Sequence, residues 1–328
     1  MTKFLIRRLF LAIIIILFGA LITYSVIRCL PTSYVEAMAR ERSSLPGSKS
    51  YQEWLDQLNA VYGLDRGIIP GFLQWLGNAV KGNFGDSWVY SIPVTEKFSS
   101  VIGYSVALNI ITFAFQIALC IPLGIIAARK QYSKTDYTIT VIALAGISLP
   151  TFFLATLLKY TFSYKLGWFD LYGIVGRYHE QLDTFGKILD MGHHLVLPIL
   201  TLAMLSIGGL MRYTRTNMLE VLSADYIRTA RAKGLSERRV IYHHAFRNTL
   251  IPLVSYLSYL LPNMFGGSMI TETLYQIPGI GYISYDAMRA GDIPFTMFYS
   301  VFMIVLTQVS LVVADIMYAI VDPRVRIN

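Results

Sequence analysis

Charge is scarce in this chain of 328 residues, with Asp, Glu, Lys and Arg making up 15%; soluble domains carry about 25%. Together with 55% hydrophobic residues and a mean hydropathy of +0.52, that deficit argues against a soluble enzyme. Cysteine is limited to Cys29 and Cys120, which excludes a disulfide scaffold and a multi-cysteine metal cluster. The pattern Gly-x-x-x-x-Gly-Lys-Ser/Thr is absent, so the usual loop for cradling ATP phosphates is missing. Gly82-Asn83-Phe84-Gly85 is a weak substitute. His-Glu-x-x-His and Gly-x-Ser-x-Gly are absent too, leaving no zinc-hydrolase or serine-hydrolase signature and no expected catalytic residue. The adjacent pairs His193-His194 and His243-His244 point about 100° apart on a helix. They read as surface or interface histidines, and no metal site is expected. Ionisable residues are nearly missing from the apolar runs, where an ion-coupled secondary transporter needs them. Glu272 and Asp315 come nearest, and both read as packing residues held by hydrogen bonds.

What is present is a set of long apolar runs. Crossing a bilayer as a helix takes about 20 mostly apolar residues. Six stretches qualify: Leu9 to Ile27, Val101 to Ala128, Tyr137 to Leu158, Leu195 to Met211, Asn248 to Thr271 and Ile293 to Ala314. The first follows Lys3, Arg7 and Arg8, as a signal peptide would, but it is too long and lacks a small-x-small cleavage site, so it reads as an uncleaved anchor. With the N-terminus inside, the four inner segments hold sixteen basic and five acidic residues, net +11; the three outer loops hold ten and thirteen, net −3. Arg28, Lys159, Glu272 and Asp315 cancel, so the whole formal excess of +8 lies on one side. This positive-inside asymmetry predicts both termini in the cytoplasm. It also removes the support that a basic chain lends to nucleic-acid binding.

Two loops stand out. In the first outer loop, Tyr51, Trp54, Leu55, Leu58 and Tyr62 recur at helical spacing, as do Phe72, Trp75, Leu76, Ala79 and Val80. The spacing predicts two short amphipathic helices, read as a structural cap on the outer face in preference to a ligand site. Arg40 to Ser50 is the candidate linker. The inner loop from Asp225 to Pro252 is basic and reads as helix, break, helix. Ala224 to Lys233 form the first helix, Gly234 its left-handed cap, and Ser236 the N-cap of the next. Two readings fit this pattern equally: an elbow that docks a partner, or an amphipathic helix lying on anionic lipid.

The stretch DYIRTARAKGLSERRVIYHHAFRNTLIP, Asp225 to Pro252, resembles the cytoplasmic coupling loop of permease subunits of ABC importers, in particular the dipeptide/oligopeptide type. Arg228-Thr229-Ala230 stands where the wider superfamily has Glu-Ala-Ala. Further matches are Ile6-Arg7-Arg8, Glu272-Thr273, Pro278-Gly279-Ile280-Gly281, Asp292-Ile293-Pro294 and Asp322-Pro323-Arg324, so the resemblance runs end to end. The long first outer loop is similar to the B-type subunit. Pro31-Thr32-Ser33-Tyr34 departs from the Pro-Gly-Asp-Pro often found there.

The resemblance implies an all-α integral membrane protein with six transmembrane helices in the type I ABC importer permease fold, N-in and C-in. Its expected layout is an N-terminal transmembrane helix at 1–30, an extracytoplasmic segment at 31–96, the permease domain at 97–320 with its coupling loop at 217–249, and a cytoplasmic tail at 321–328. It implies half of a translocation pathway for peptides, in a bacterial or archaeal cytoplasmic membrane. The implied partners are a homologous C-type permease, two ABC ATPase subunits, an extracytoplasmic substrate-binding protein and membrane lipids. ATP and Mg would be bound by the ATPases, with no cofactor in this chain. Coupling would involve Arg228, Ala230, Gly234, Leu235, Arg238, Arg239 and Val240, with Ala230, Leu235 and Val240 filling a groove on the ATPase. Ser258, Asn263, Gly267, Glu272, Pro278 and Ile280 are candidates for the pathway or its gate. For the small and polar residues of the fifth run, helix packing fits equally well. Nickel complexes and oligosaccharides are alternative cargoes in the same class; an ion-coupled secondary transporter is the rival from another class.

Overall fold

A computed structural model describes residues 2–29, 34–61, 64–260 and 264–321. The described residues are helical, with one isolated antiparallel bridge between Asp86 and Pro93. Among the described residues, four helices are long and apolar enough to cross a membrane, or five if one bent pair counts as a single span. The chain divides into two compact units, one of residues 1–103 with 283–309 and the other of 104–282 with 310–327. This division cuts across the expected boundary at residue 97.

The first unit opens with α1 (Thr2–Arg28), followed by α2 (Tyr34–Ser43), α3 (Tyr51–Val61) and α4 (Ile68–Ala79). The periodicity located α3 and α4. It missed α2, whose final residues, Arg40 to Ser43, fall in the expected linker. Val35 and Ala39 of α2 are buried with Leu58 of α3, so a short polar helix is held by what it packs against. The start of α3 is a capping box in which the Ser50 amide donates to the Glu53 carboxylate and the Glu53 amide to the Ser50 hydroxyl. Arg28 ends α1 by donating to the carbonyls of Leu64 and Arg66, both at 2.8 Å. Asp292, fully buried, accepts from the Ser87 hydroxyl, from the Val89 amide at 3.1 Å and from the Phe295 amide at 3.1 Å. The Asp-Ile-Pro motif thus caps the last helix and ties residues 87–89 to its base.

The second unit takes most of α5 (Val94–Arg129), then α6 (Lys134–Ser148), α7 (Thr151–Leu158, continued by a π turn over Lys159–Lys165) and α8 (Thr184–Leu222). The expected span Tyr137 to Leu158 is not one straight helix: α6 and α7 meet at a bend of 106°. Pro150 is the cause, since it holds Leu149 in extended backbone and ends α6 there. The run Leu195 to Met211 is the middle of a 39-residue helix, about 58 Å long at 1.5 Å per residue. Asp183 caps that helix through the Gly186 amide at 2.9 Å.

Helices α6 and α8 run antiparallel in close contact. A Cβ on Gly208 would lie 2.6 Å from the carbonyl oxygen of Ala143, so only glycine permits this approach. Asp136, buried, accepts two bonds from Arg215 at 2.7 and 2.8 Å. That bidentate pair fixes the register of the two helices.

The fifth apolar run is also not one helix. It comprises α11 (Phe246–Tyr259), reached through the short α10 (Glu237–Arg239) and a π turn over Val240–Ala245, and then α12 (Met269–Tyr275). Between them Gly267 adopts φ +77°. A Cβ there would meet the Gly281 amide at 2.6 Å, so the break depends on two glycines packed backbone to backbone. Helices α13 (Ile280–Arg289) and α14 (Ile293–Val321) complete the fold.

Candidate functional site

The basic loop folds as its spacing predicts. Helix α9 (Asp225–Ala232) ends at Lys233, and Gly234 turns left-handed at φ +75°. The Gly234 amide donates to the Arg231 carbonyl at 2.9 Å and the Leu235 amide to the Ala230 carbonyl at 3.4 Å. Those two bonds make a Schellman cap, which glycine alone accommodates without strain. Ser236 is the extended N-cap residue expected, although its side chain makes no capping bond. An unforeseen pair closes the turn: the Arg231 guanidinium donates to both Glu237 carboxylate oxygens, at 2.8 and 3.2 Å. This bond holds the Glu237 carboxyl below its usual range.

One face of the elbow is rooted in the protein. Ile227, Ala230, Val240, Ile241 and Ala245 are buried with Ile125 and Ala128 of α5 and Met218 of α8. Leu235 packs half-buried against the same cluster. Ala230 and Val240 therefore do not present themselves to a partner's groove, as the sequence reading had them do. Their apolar surface is consumed by α5 and α8. The exposed face includes Tyr226, Arg228, Thr229, Lys233, Gly234, Arg238 and Arg239, with Asp225, Arg231 and Glu237 exposed among them. Tyr226 was missed because its neighbours are polar, yet it is 48% exposed beside those cations. Burial of part of its ring pushes its phenol pKa up.

The helices that root the elbow also line a cavity of ≈ 500 Å³. Helix α5 contributes Asn109, Thr112 and Gln116, α8 contributes Ser206, α11 contributes Tyr256, and Gly267 and Ser268 close one side. The lining carries no charged residue, and Phe113, Ile147, Leu202, Leu205, Leu210, Leu260 and Met264 supply its apolar part. Asn109 accepts from the Ser268 hydroxyl at 2.9 Å, and its buried Nδ2 has no hydrogen-bond partner among the described residues.

The remaining pathway candidates separate. Gly267 lines the cavity. Glu272 and Ile280 are fully buried and Pro278 half-buried. Asn263 and the side chain of Ser258 lie outside the described part of the chain. Glu272 organises the Pro-Gly-Ile-Gly turn: its carboxylate accepts from the Ser105 hydroxyl at 2.8 Å, the Ser268 amide at 2.9 Å and the Tyr282 amide at 3.0 Å. Ser105 in turn accepts from the Ile280 amide at 2.7 Å. A Cβ on Gly279 or Gly281 would stand 2.5 or 2.9 Å from the Glu272 carboxylate. Motifs far apart in the chain thus form one hydrogen-bonded knot beside Ser268 of the cavity wall.

A chain of long apolar helices with a basic elbow and an uncharged, partly open cavity between helices has the anatomy of a membrane transport subunit, and comparison with known proteins agrees. Residues 120–327 match the family of the binding-protein-dependent transport system inner membrane component. The oligopeptide transport system permease protein AppB of Bacillus subtilis (strain 168) is 36% identical over 327 residues, covering 99% of this chain and 100% of its own. The di/tripeptide transport system permease protein DppB of Pseudomonas aeruginosa (strain UCBPP-PA14) is 34% identical, covering 99% of both chains. Among solved structures, a chain of the inward-facing MetNI methionine ABC transporter superposes with a TM-score of 0.54 at 16% identity, over 70% of this chain and 97% of that one. That likeness concerns fold alone, the type I ABC permease fold. The chain belongs to the binding-protein-dependent transport system inner membrane component family: it is a permease subunit of an ABC importer, a multi-pass inner-membrane protein.

Proposed function

We propose that this chain is the B-type half of a peptide-importing pathway and that the Gly234 elbow couples it to ATP hydrolysis in two partner ATPases. The observation that carries this reading is the shared framework of elbow and cavity. Met218 in the elbow's root and Ser206 in the cavity wall lie on the same helix, about 18 Å apart along its axis. A push on the exposed Arg228, Arg238 and Arg239 face therefore reaches the helices that shape the cavity. The chain lacks a phosphate-binding loop, so its driving energy must arrive through contact. The full assembly would add a homologous C-type permease and a binding protein that delivers cargo from outside. ATP and Mg would reside in the ATPases.

Peptide is favoured as cargo because the similar relatives are named as oligopeptide and di/tripeptide permeases over their whole length. The neutral hydrogen-bonding lining of Asn109, Thr112, Gln116 and Ser206 suits a chain of amides. A topology of six spans with both termini inside follows the charge asymmetry, with α6 and α7 forming one bent span and α11 and α12 another. Coupling through Arg228, Gly234, Arg238 and Arg239, with Ala230, Leu235 and Val240 as the root, completes the reading.

The test is purification from native membranes in mild detergent, followed by reconstitution. The expected result is co-elution with a second permease and two ATPases, and ATP-dependent peptide uptake once the binding protein is added. Uptake by this chain alone, without ATP, would overturn the proposal and favour a secondary transporter.

A further inference from the structure

The adjacent histidines near the start of α8 do not act as a pair on their own. The loop after the π turn brings Asp170 to them, and one ligand atom from each of Asp170, His193 and His194 lies within 4.8 Å of the others. His194 is the informative member. Its side chain is only 3% exposed. Its Nδ1 lies 2.8 Å from the Asp190 carbonyl oxygen, an acceptor, so Nδ1 must carry the proton. In a neutral ring the lone pair is then on Nε2, which faces the Asp170 carboxylate at 3.1 Å. Two acceptors at that distance repel unless a cation lies between them. An imidazole fixed by a backbone carbonyl on one nitrogen and open on the other is the usual state of a metal-ligating histidine.

We propose that Asp170, His193 and His194 bind one divalent transition-metal ion of the zinc class, which staples the loop around Asp170 to α8. Two imidazole nitrogens and a carboxylate suit zinc, and bonds of about 2.0–2.2 Å in a tetrahedron put neighbouring ligand atoms about 3.3 Å apart. The His194–Asp170 separation of 3.1 Å already matches such an edge. His193 and Asp170 are exposed; the His193 ring stacks on Phe169 and its Nε2 lies 2.9 Å from the Trp168 carbonyl oxygen, which leaves Nδ1 as the nitrogen that would ligate. The support behind the ligands is built as well. Asp190, whose carbonyl fixes His194, has its carboxylate held by the Gly176 amide at 2.9 Å and His179 at 2.6 Å. The site would stiffen more than its own loop, because Gly173 of that loop donates to the Tyr275 carbonyl at 2.9 Å, three residues beyond Glu272.

The test uses the full chain with its co-purifying subunits, isolated on a histidine-free tag and stripped with EDTA. Zinc is titrated by calorimetry and by thermal melting, for wild type, D170N and H193A. Both variants change exposed side chains, so the fold is expected to persist, and each protein's response to zinc is read against its own zinc-free melting temperature. The expected result is one zinc-binding event in wild type that raises the melting temperature, and loss of that event in each variant. Equal zinc stoichiometry and equal melting response in all three would overturn the site. So would a wild type indifferent to zinc whose melting depends on pH, with D170N abolishing that dependence; the shared cation would then be a proton.

Discussion

Arg231 and Glu237 face each other across the Gly234 turn, joined by two hydrogen bonds at 2.8 and 3.2 Å. Each is nearly half exposed, so the pair contributes at most about 1 kcal/mol to stability. Its role is to set the angle between α9 and the chain that leads into α11. The replacements R231A and E237Q are therefore expected to leave melting nearly unchanged while lowering uptake per ATP hydrolysed. The charge swap R231E/E237R should recover much of it. Parallel uptake and ATPase assays on the reconstituted complex check this.

The same pair predicts a pH dependence. Glu237 has a lowered pKa in the folded state because Arg231 hydrogen-bonds it. Its contribution is thus fully present above the ordinary glutamate value of about 4.3 and is lost as pH falls through the lowered value. The elbow should hold its geometry from neutral pH down through the usual carboxylate range. Chemical-shift titration of the Glu237 carboxyl carbon in wild type and R231A checks this. The wild-type midpoint is expected to be the more acidic.

Gly234 carries the turn through its φ of +75° and its amide bond to Arg231. G234A should cost about 1–2 kcal/mol through left-handed strain and impair uptake partially. G234P removes the amide as well and is expected to abolish uptake with the subunit still in the membrane. Membrane fractionation and uptake on the same cells make the measurement.

Glu272 predicts stability, since its carboxylate accepts from Ser105, Ser268 and Tyr282 while fully buried. In E272Q the new amide group faces N–H donors and leaves one unpaired, a loss of about 1–3 kcal/mol. S105A should destabilise similarly, because it also strands the Ile280 amide. Melting in detergent reads both, and a neutral result for either would remove the knot from the account.

In the cavity, Ser206 of α8 and Gln116 of α5 belong to the same lining. S206W should occlude the space and stop uptake with membrane levels unchanged. A tryptophan at exposed Tyr132, outside the lining, should have no effect. Uptake and quantitative immunoblotting distinguish the two.

Features that depend on local chemistry were legible in the sequence. Gly234 and Ser236 marked the elbow, and the periodicity of Tyr51 to Tyr62 and Phe72 to Val80 marked two of the three helices between α1 and α5. Long-range pairing was not legible. Nothing local announces that Ser105 meets Glu272 or that Asp136 meets Arg215, because each bond depends on helix register. Helix α2 escaped because its stability comes from burial of Val35 and Ala39 and not from its own pattern. The bend at Leu149-Pro150 was signalled by the proline, but unbroken hydrophobicity on both sides masked it. Ala230 and Val240 were correctly read as apolar members of the elbow. Which way they faced was decided by Ile125, Ala128 and Met218, on other helices.

The most direct test places a photo-crosslinking amino acid at Lys233, on the exposed face of the elbow, and irradiates native membranes. A control probe goes at Tyr132, exposed on the turn between α5 and α6. The account predicts a crosslinked product from Lys233 that contains the ATPase and whose yield changes on ATP addition, with little from Tyr132. Crosslinks from Lys233 to lipid alone would contradict the coupling role and return the loop to an amphipathic segment on the membrane surface.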